Sequence, residues 1–326
     1  MTYTFSKGLA CFGLALALSG TVISPAAQAS EGGAAIEAQH WTFGGIRGHF
    51  DRAQLQRGFQ VYKEVCATCH GVKRLSFRNL AEKGGPEFPE DGAKGLAETY
   101  KVNDGPNDQG KMFKRPGRLS DRIPSPFDNE QQARSANNGA LPPDLSLIAL
   151  ARKVEVERPF YLLPYYVVKE IVTGYQEGGP DYLYALMNGY RETPPAYSEN
   201  QGHMVQVADA EATANPKMPR CASITSEAGS ADVCNKMSDG MHYNMAFPGH
   251  QIAMPAPLRD GVVKYSDGTA ATSENYARDV TAFLAWAADP KLEERKRLGL
   301  MAMFYLVIVS ALLYGAKRRV WSNIPH

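Results

Sequence analysis

Apolar positions recur at helical spacing in three stretches of this 326-residue chain, and these stretches organise what lies between them. In the first, Leu55, Phe59 and Tyr62 fall at i, i+4 and i+7, which predicts a helix over Asp51–Val65. In the second, Tyr276, Val280, Phe283, Leu284 and Ala287 repeat at the same spacing, with Ser273 as the expected cap and Asp289-Pro290 as the break. The third runs from Leu298 to Ala316 and is apolar on every face, without a charge. Nineteen residues at 1.5 Å each span about 28 Å, the hydrocarbon thickness of a bilayer.

Weaker signals fill the intervals. Ala140-Leu141-Pro142-Pro143-Asp144 opens a short helix ending near Arg152. Asp181–Asn188 reads as a helix closed by Gly189. Val262–Tyr265, followed by Ser266-Asp267-Gly268-Thr269, predicts a strand and turn. Residues 84–92 and 104–126, rich in Gly, Pro and Asp, read as loops. Residues 159–173 are apolar and aromatic with no deciding period, and 198–240 read as a long polar insertion. No internal repeat is present.

The two ends place the chain relative to a membrane. Lys7, the apolar stretch Gly8–Ser19 and the small-residue site Ala27-Gln28-Ala29 predict a cleaved export signal over residues 1–29. That leaves a periplasmic domain over 30–292, an anchor helix with flanking charges over 293–319, and a cytoplasmic tail over 320–326 in a bacterial inner membrane. Lys317, Arg318, Arg319 and Trp321 suit the far interface.

Charge narrows the partners. The whole chain carries +1, the signal +1 and residues 293–326 +4, so by difference the exported domain carries about −4. This suits a basic protein partner better than it suits nucleic acid, and no nucleic-acid partner is expected. Glu82, Glu87, Glu90, Asp91 and Glu98 form one candidate docking face.

The candidate chemistry sits at the end of the first helix, in Cys66-Ala67-Thr68-Cys69-His70. Two thiols three residues apart, followed at once by an imidazole, suit two thioether bonds to a haem whose iron the histidine binds. A zinc site would need two more nearby Cys or His ligands, and a redox dithiol a β-α-β setting; neither is present in the flanks. The motif occurs once, giving one covalent haem c. With Cys11 lost in the signal, Cys221 and Cys234 remain as an even pair in an oxidising compartment, which favours a disulfide. Its short loop would contribute about 3 kcal/mol in chain-entropy arithmetic.

The second axial ligand separates a carrier from a catalyst. Methionine opposite histidine fills the coordination sphere and raises the potential, whereas an open position suits ligand binding. The exported domain offers eight methionines, with His203, His242 and His250 as competitors. Met254 is preferred because Pro248, Pro255 and Pro257 stiffen the loop that carries it. On spacing alone the others stay open.

These segments together resemble one family. Gly58-Phe59-Gln60-Val61-Tyr62 leads into the haem motif, Arg134–Ser146 reads RSANNGALPPDLS, and Gly179-Pro180-Asp181-Tyr182 and Gly189-Tyr190 follow. A long block runs from Tyr243 through the Met254 loop and Trp286-Ala287-Ala288 to Arg297. In this order they resemble the cytochrome c1 family, the haem c subunit of the cytochrome bc1 complex. The resemblance implies a mainly α, c-type cytochrome fold with long loop insertions and one C-terminal transmembrane helix. It implies Met254 as the sixth ligand, Arg152 near a haem propionate and Tyr182 in the haem pocket. It also implies electron transfer from a Rieske iron–sulfur protein to a soluble or tethered cytochrome c, with cytochrome b as the membrane core. Two stretches depart from the compact family pattern, 153–177 and 203–239, and the Cys221–Cys234 pair resembles an extra disulfide of some bacterial members.

The expected function is therefore one-electron transfer by a membrane-anchored haem subunit that is not an enzyme by itself. The alternatives are a tethered cytochrome c serving an oxidase, a haem enzyme or gas sensor with an open iron site, and a structural membrane anchor.

Overall fold

The structure, a computed structural model, describes residues 36–152, 159–163, 165–166, 169, 178–191, 197–200, 203–206 and 240–322. The expected signal, the Cys221–Cys234 pair and most of both long insertions lie outside the described residues.

The first helical stripe forms α1 (Arg52–Glu64), with the Asp51 carboxylate accepting from the Gln54 N–H at its start. Two short elements follow the haem motif: α2 (Glu90–Thr99) and a hairpin of β1 (Lys101–Asp104) and β2 (Phe113–Pro116). Next come α3 (Glu130–Ala136), α4 (Ile148–Ala151) and α5 (Gly178–Asn188). Two further antiparallel pairs are β3 (Tyr197–Asn200) with β4 (His203–Gln206), and β5 (His242–Tyr243) with β6 (Gln251–Ile252). The chain closes with α6 (Ser273–Ala288) and α7 (Leu292–Trp321). Helices carry the core and the strands are short two-stranded ribbons, so the mainly α expectation holds.

The core is the crossing of α1 and α6. A Cβ on Gly58 would stand 2.1 Å from the Asp279 carbonyl oxygen and 2.7 Å from Phe283 Cβ, so only glycine lets the two backbones approach this closely. Around that contact Phe283 packs on Phe59 and Tyr62, with ring centroids 5.5 and 5.7 Å away, and on Trp286 at 5.7 Å. Arg57 on α1 clamps the crossing from its rim, pairing with the buried Asp279 at 2.8 Å and with Asp267 at 2.8 Å.

Several expectations from the sequence are corrected. Val262–Tyr265 is not a strand. Both backbone groups of the buried Val263 are taken by the Tyr276 hydroxyl, which accepts from its N–H at 3.2 Å and donates to its carbonyl, leaving nothing for a ladder. Residues 84–92 are not all loop, since α2 begins at Glu90; its glycines and its two small buried residues, Ala93 and Ala97, hid the pattern. The 104–126 stretch contains β2, held by Arg115 pairing with Asp104 and, at 2.6 Å, with Asp121. The helix expected from Ala140 to Arg152 shrinks to Ile148–Ala151, because the residues before it bond to the haem-motif segment instead. Thr272, not Ser273, caps α6, accepting from the Asn275 N–H at 3.3 Å. By contrast, all five acids of the candidate docking face are exposed, with Glu82 and Glu87 pairing with Arg78 at 4.0 Å and Arg52 at 3.1 Å.

The apolar C-terminal run lies within α7, which is longer than the run itself; the run has a mean hydropathy of 2.1 and none of it is buried, whereas Leu292, Glu293 and Lys296 at the helix start are half-buried. An apolar run that buries no face against its own chain is suited to lipid.

Candidate haem site

The end of α1 delivers the motif. Val65 caps the helix, and Cys66–Thr68 tighten into a 3-10 turn in which the Cys69 and His70 N–H groups both donate to the Cys66 carbonyl, at 3.1 and 2.9 Å. This turn puts both sulfurs and the imidazole at one end of the helix. Both thiols are half-buried and unbonded. Burial, with Cys69 adding to it, pushes the Cys66 thiol up to about 12.

His70 is held through its far nitrogen. Nδ1 lies 2.8 Å from the Pro143 carbonyl oxygen. Burial lowers the imidazole's pKa, more than the Pro143 contact and the Asp144 charge raise it, so the ring is neutral at pH 7. A carbonyl can only accept, so Nδ1 carries the hydrogen and Nε2 keeps its lone pair for a metal. Such a contact from the non-ligating nitrogen is the usual way an imidazole is aimed and made more basic.

The segment after Pro143 is hydrogen-bonded to the residues just past the motif. Asp144 accepts from the Lys73 N–H at 2.9 Å and the Ser146 N–H at 3.0 Å. The Ser146 hydroxyl accepts from the Arg74 N–H at 3.0 Å, and the Leu145 N–H donates to the Gly71 carbonyl at 2.8 Å. Tyr62 on α1 adds a bond from its hydroxyl to the His70 carbonyl at 3.1 Å.

The Met254 loop is built separately. Asn244, fully buried, donates to the Leu186 carbonyl at 2.8 Å and accepts from the Ala246 and Phe247 N–H groups. The turn closes through Gly249 and His250, both with positive φ (74° and 58°), and returns along β6 to a half-buried Met254. Tyr190, just past α5, donates from its hydroxyl to the Met254 carbonyl at 3.1 Å.

Tyr182 lies buried on α5, where burial raises its pKa and the Arg152 charge pulls it down; Arg152 itself is exposed just past α4. Tyr182 in turn interacts with Tyr190, whose pKa burial raises. Two hydrogen bonds brace the candidate ligands, Pro143 on His70 and Tyr190 on Met254. Tyr190 was missed from the sequence as a site residue; its only signal was its place beside Gly189.

Met112, His242 and His250 separate from the other candidates for the second axial position, while Met187, Met241 and Met245 are half-buried as Met254 is. Met112 is 65 % exposed next to β2. His250 stacks on Tyr243 with centroids 5.6 Å apart and has Nδ1 3.2 Å from the Asn244 carbonyl, so its ring serves the turn. His242 is exposed. Met187 is half-buried and packs against the core. The side chains of His203 and Met204, and all of Met218 and Met237, lie outside the described residues.

The donor set fits a covalent haem: two free thiols at thioether spacing, an imidazole with Nε2 unclaimed, and a thioether on a braced loop. Among the described residues no group of three or more His, Cys, Asp or Glu is placed to hold a metal ion.

Comparison with known sequences agrees. The pattern of the Cytochrome C1 family matches residues 41–324. The chain belongs to the cytochrome c1 family. It is 39% identical to the cytochrome c1 of Rhodospirillum rubrum over the full length of both, and 40% identical to that of Blastochloris viridis over 95% of each. It is 42% identical to the "Cytochrome b/c1" of Bradyrhizobium diazoefficiens, where 97% of this chain spans 40% of that protein's length. Cytochrome c1 proteins bind one covalent haem c and mediate electron transfer, and Cys66–His70 fall inside the matched region.

Proposed function

We propose that this chain accepts single electrons from a Rieske iron–sulfur protein and passes them to a soluble or tethered cytochrome c, docked on cytochrome b within a bc1 complex. The relatives named "Cytochrome b/c1" and "Cytochrome b-c1 complex catalytic subunit" support that assembly. The haem domain faces the periplasm of a bacterial inner membrane and the tail after α7 faces the cytoplasm.

The observation that supports the reading is the pair of braces, Pro143 on His70 and Tyr190 on Met254. A bound haem c supplies a one-electron iron couple. Cys66 and Cys69 would hold it covalently, and His70, through Nε2, and Met254 would ligate its iron, which would keep small ligands out and raise the potential. Arg152 offers positive charge to a propionate, with Tyr182 lining the pocket. Rigid axial groups keep the geometry the same in both oxidation states, so little reorganisation opposes transfer. No proton moves at this site. The Cys221–Cys234 disulfide belongs to the same proposal as a clasp on the second insertion.

The test is Met254→Leu. The expected result is a large fall in midpoint potential, carbon monoxide binding to the reduced protein, and loss of quinol–cytochrome c activity. An unchanged potential would place the ligand elsewhere. Co-isolation of the unaltered chain with cytochrome b and a Rieske protein tests the assembly, and their absence would favour a tethered cytochrome c.

A further inference from the structure

The junction between the haem domain and α7 is bonded on both sides of the helix start. Only residues 289–291 separate α6 from α7. The Asp289 N–H donates to the Ala285 and Trp286 carbonyls, its own carbonyl accepts from the Leu292 N–H at 3.2 Å, and its carboxylate pairs with Arg295. Hydrogen bonding therefore runs through the break without a free link.

Two side chains of the first turns of α7 then reach back into the domain. Glu293 accepts from the Phe50 N–H at 2.8 Å and from Arg52 Nη2 at 2.7 Å. Lys296, three residues on and so on the same helix face, donates to the Phe43 carbonyl. The groups they grip are not on a loose arm. Phe43 and Phe50 are both 2% exposed, with ring centroids 4.7 Å apart, and Phe43 stacks on the buried Trp41 at 5.4 Å. Arg52 is itself fixed, donating to the Gly84 carbonyl at 3.0 Å and pairing with Glu87 at 3.1 Å.

Arg52 is also the first residue of α1, whose other end carries the haem motif. Fourteen residues from Arg52 to Cys66 correspond to about 20 Å of helix. One rod therefore joins the α7 contact to the cysteines.

We propose that Arg52, Glu293 and Lys296 lock α7 to the haem domain, so that the anchor is a rigid extension of α1 and sets the orientation of the haem over the bilayer. A lone exposed ion pair is too weak to hold such an angle. Here the pair is partly buried, the same carboxylate also takes a backbone N–H, and a second side chain bonds a second backbone group three residues away. Two points of attachment on one face, plus the bonded link at Asp289, remove the hinge freedom that one point would leave. The three are positioning residues: none touches the haem or its ligands.

This inference rests on α7 spanning the membrane, and the test separates the two. The full-length haem-loaded chain is placed in oriented phospholipid multilayers, and the angular dependence of the low-spin ferric EPR signal is recorded. The expected result is a sharp angular dependence for the unaltered chain. It is lost in Glu293→Ala/Lys296→Ala, whose midpoint potential and optical spectrum stay as they were. Angular dependence equal to that of the unaltered chain would overturn the lock. If the double variant does not accumulate, hydrogen exchange of the unaltered chain in bilayers decides. The Phe50 amide, which donates to the Glu293 side chain, is expected to be protected, and rapid exchange there would overturn the proposal. A chain that stays out of the bilayer would overturn the membrane reading as well. One that enters with randomly oriented haem would overturn only the lock.

Discussion

The Tyr190 hydroxyl donates to the carbonyl of Met254 across 3.1 Å, joining the end of α5 to the loop that presents the proposed sixth ligand. Prolines 255 and 257 restrict that loop locally, but they do not attach it to the rest of the domain. The tyrosine does. Tyr190→Phe keeps the ring and removes the bond, so the loop gains freedom while the core stays packed. A net hydrogen bond of this kind contributes about 1 kcal/mol. The expected outcome is a midpoint potential lower than that of the unaltered protein but well above that of Met254→Leu, with slow carbon monoxide binding to the reduced form. Redox titration and stopped-flow carbon monoxide binding check it, and values equal to the unaltered protein's would show that the bond does not support the ligand.

On the other axial side, Asp144 keeps the Pro143 carbonyl in reach of His70 by accepting from the Lys73 and Ser146 N–H groups. Asp144→Ala removes both bonds and frees the peptide that aims the imidazole. Loss of groups behind a metal ligand commonly weakens its function 10–100-fold, about 1.4–2.7 kcal/mol. We expect Asp144→Ala to shift the midpoint potential and broaden the low-spin EPR lines, and Asp144→Asn, which keeps one accepting oxygen, to fall between. Identical spectra for all three would remove Asp144 from the site.

The haem motif, the α1 and α6 stripes and the apolar run were legible because each is a local pattern whose period or spacing states its own purpose. Leu55, Phe59 and Tyr62 are all buried, as their i, i+4, i+7 spacing required. What was not legible depends on partners far away in sequence. Val262–Tyr265 has strand composition, yet a single hydroxyl 13 residues on captures the Val263 backbone. The Pro142–Ser146 segment has a helix-start signature, yet Gly71, Lys73 and Arg74 take its hydrogen-bonding groups. Arg152 and Tyr182 came from family resemblance, since nothing in their neighbourhoods distinguishes a haem-facing side chain from any other. Tyr190 and the Glu293 contacts had no sequence signal beyond residue type.

At the α1–α6 crossing, Gly58→Ala adds one methyl where the Asp279 carbonyl oxygen stands 2.1 Å from the Cβ position. That oxygen is backbone, so it cannot rotate aside, and the helices must separate. Overpacking of this kind costs about 1–3 kcal/mol, offset only by the small gain of alanine over glycine in a helix. The expected outcome is a lower unfolding midpoint in denaturant with an unchanged optical spectrum, because the haem ligands are more than two helical turns away along α1. An unfolding midpoint equal to that of the unaltered protein would show that the crossing tolerates separation.

Acid should loosen the same crossing from its rim. The Asp267 carboxylate accepts from the Thr269 N–H at 3.0 Å and pairs with Arg57 at 2.8 Å, which hold its pKa down at about 2, against an ordinary value of 3.8. The folded state thus binds fewer protons than the unfolded state between these values. Stability from this group is fully present above about pH 4 and is lost as pH falls towards 2. Asp104 and Asp121 on Arg115 are depressed by hydrogen bonds from that arginine and act in the same direction. Asp267→Asn removes the titration while keeping an oxygen for the Thr269 N–H. It is expected to be less stable than the unaltered protein at neutral pH and to converge on it as pH falls from 4 to 2. Chemical unfolding at a series of pH values measures the gap, and a gap that stays constant across this range would show that Asp267 does not titrate with the fold.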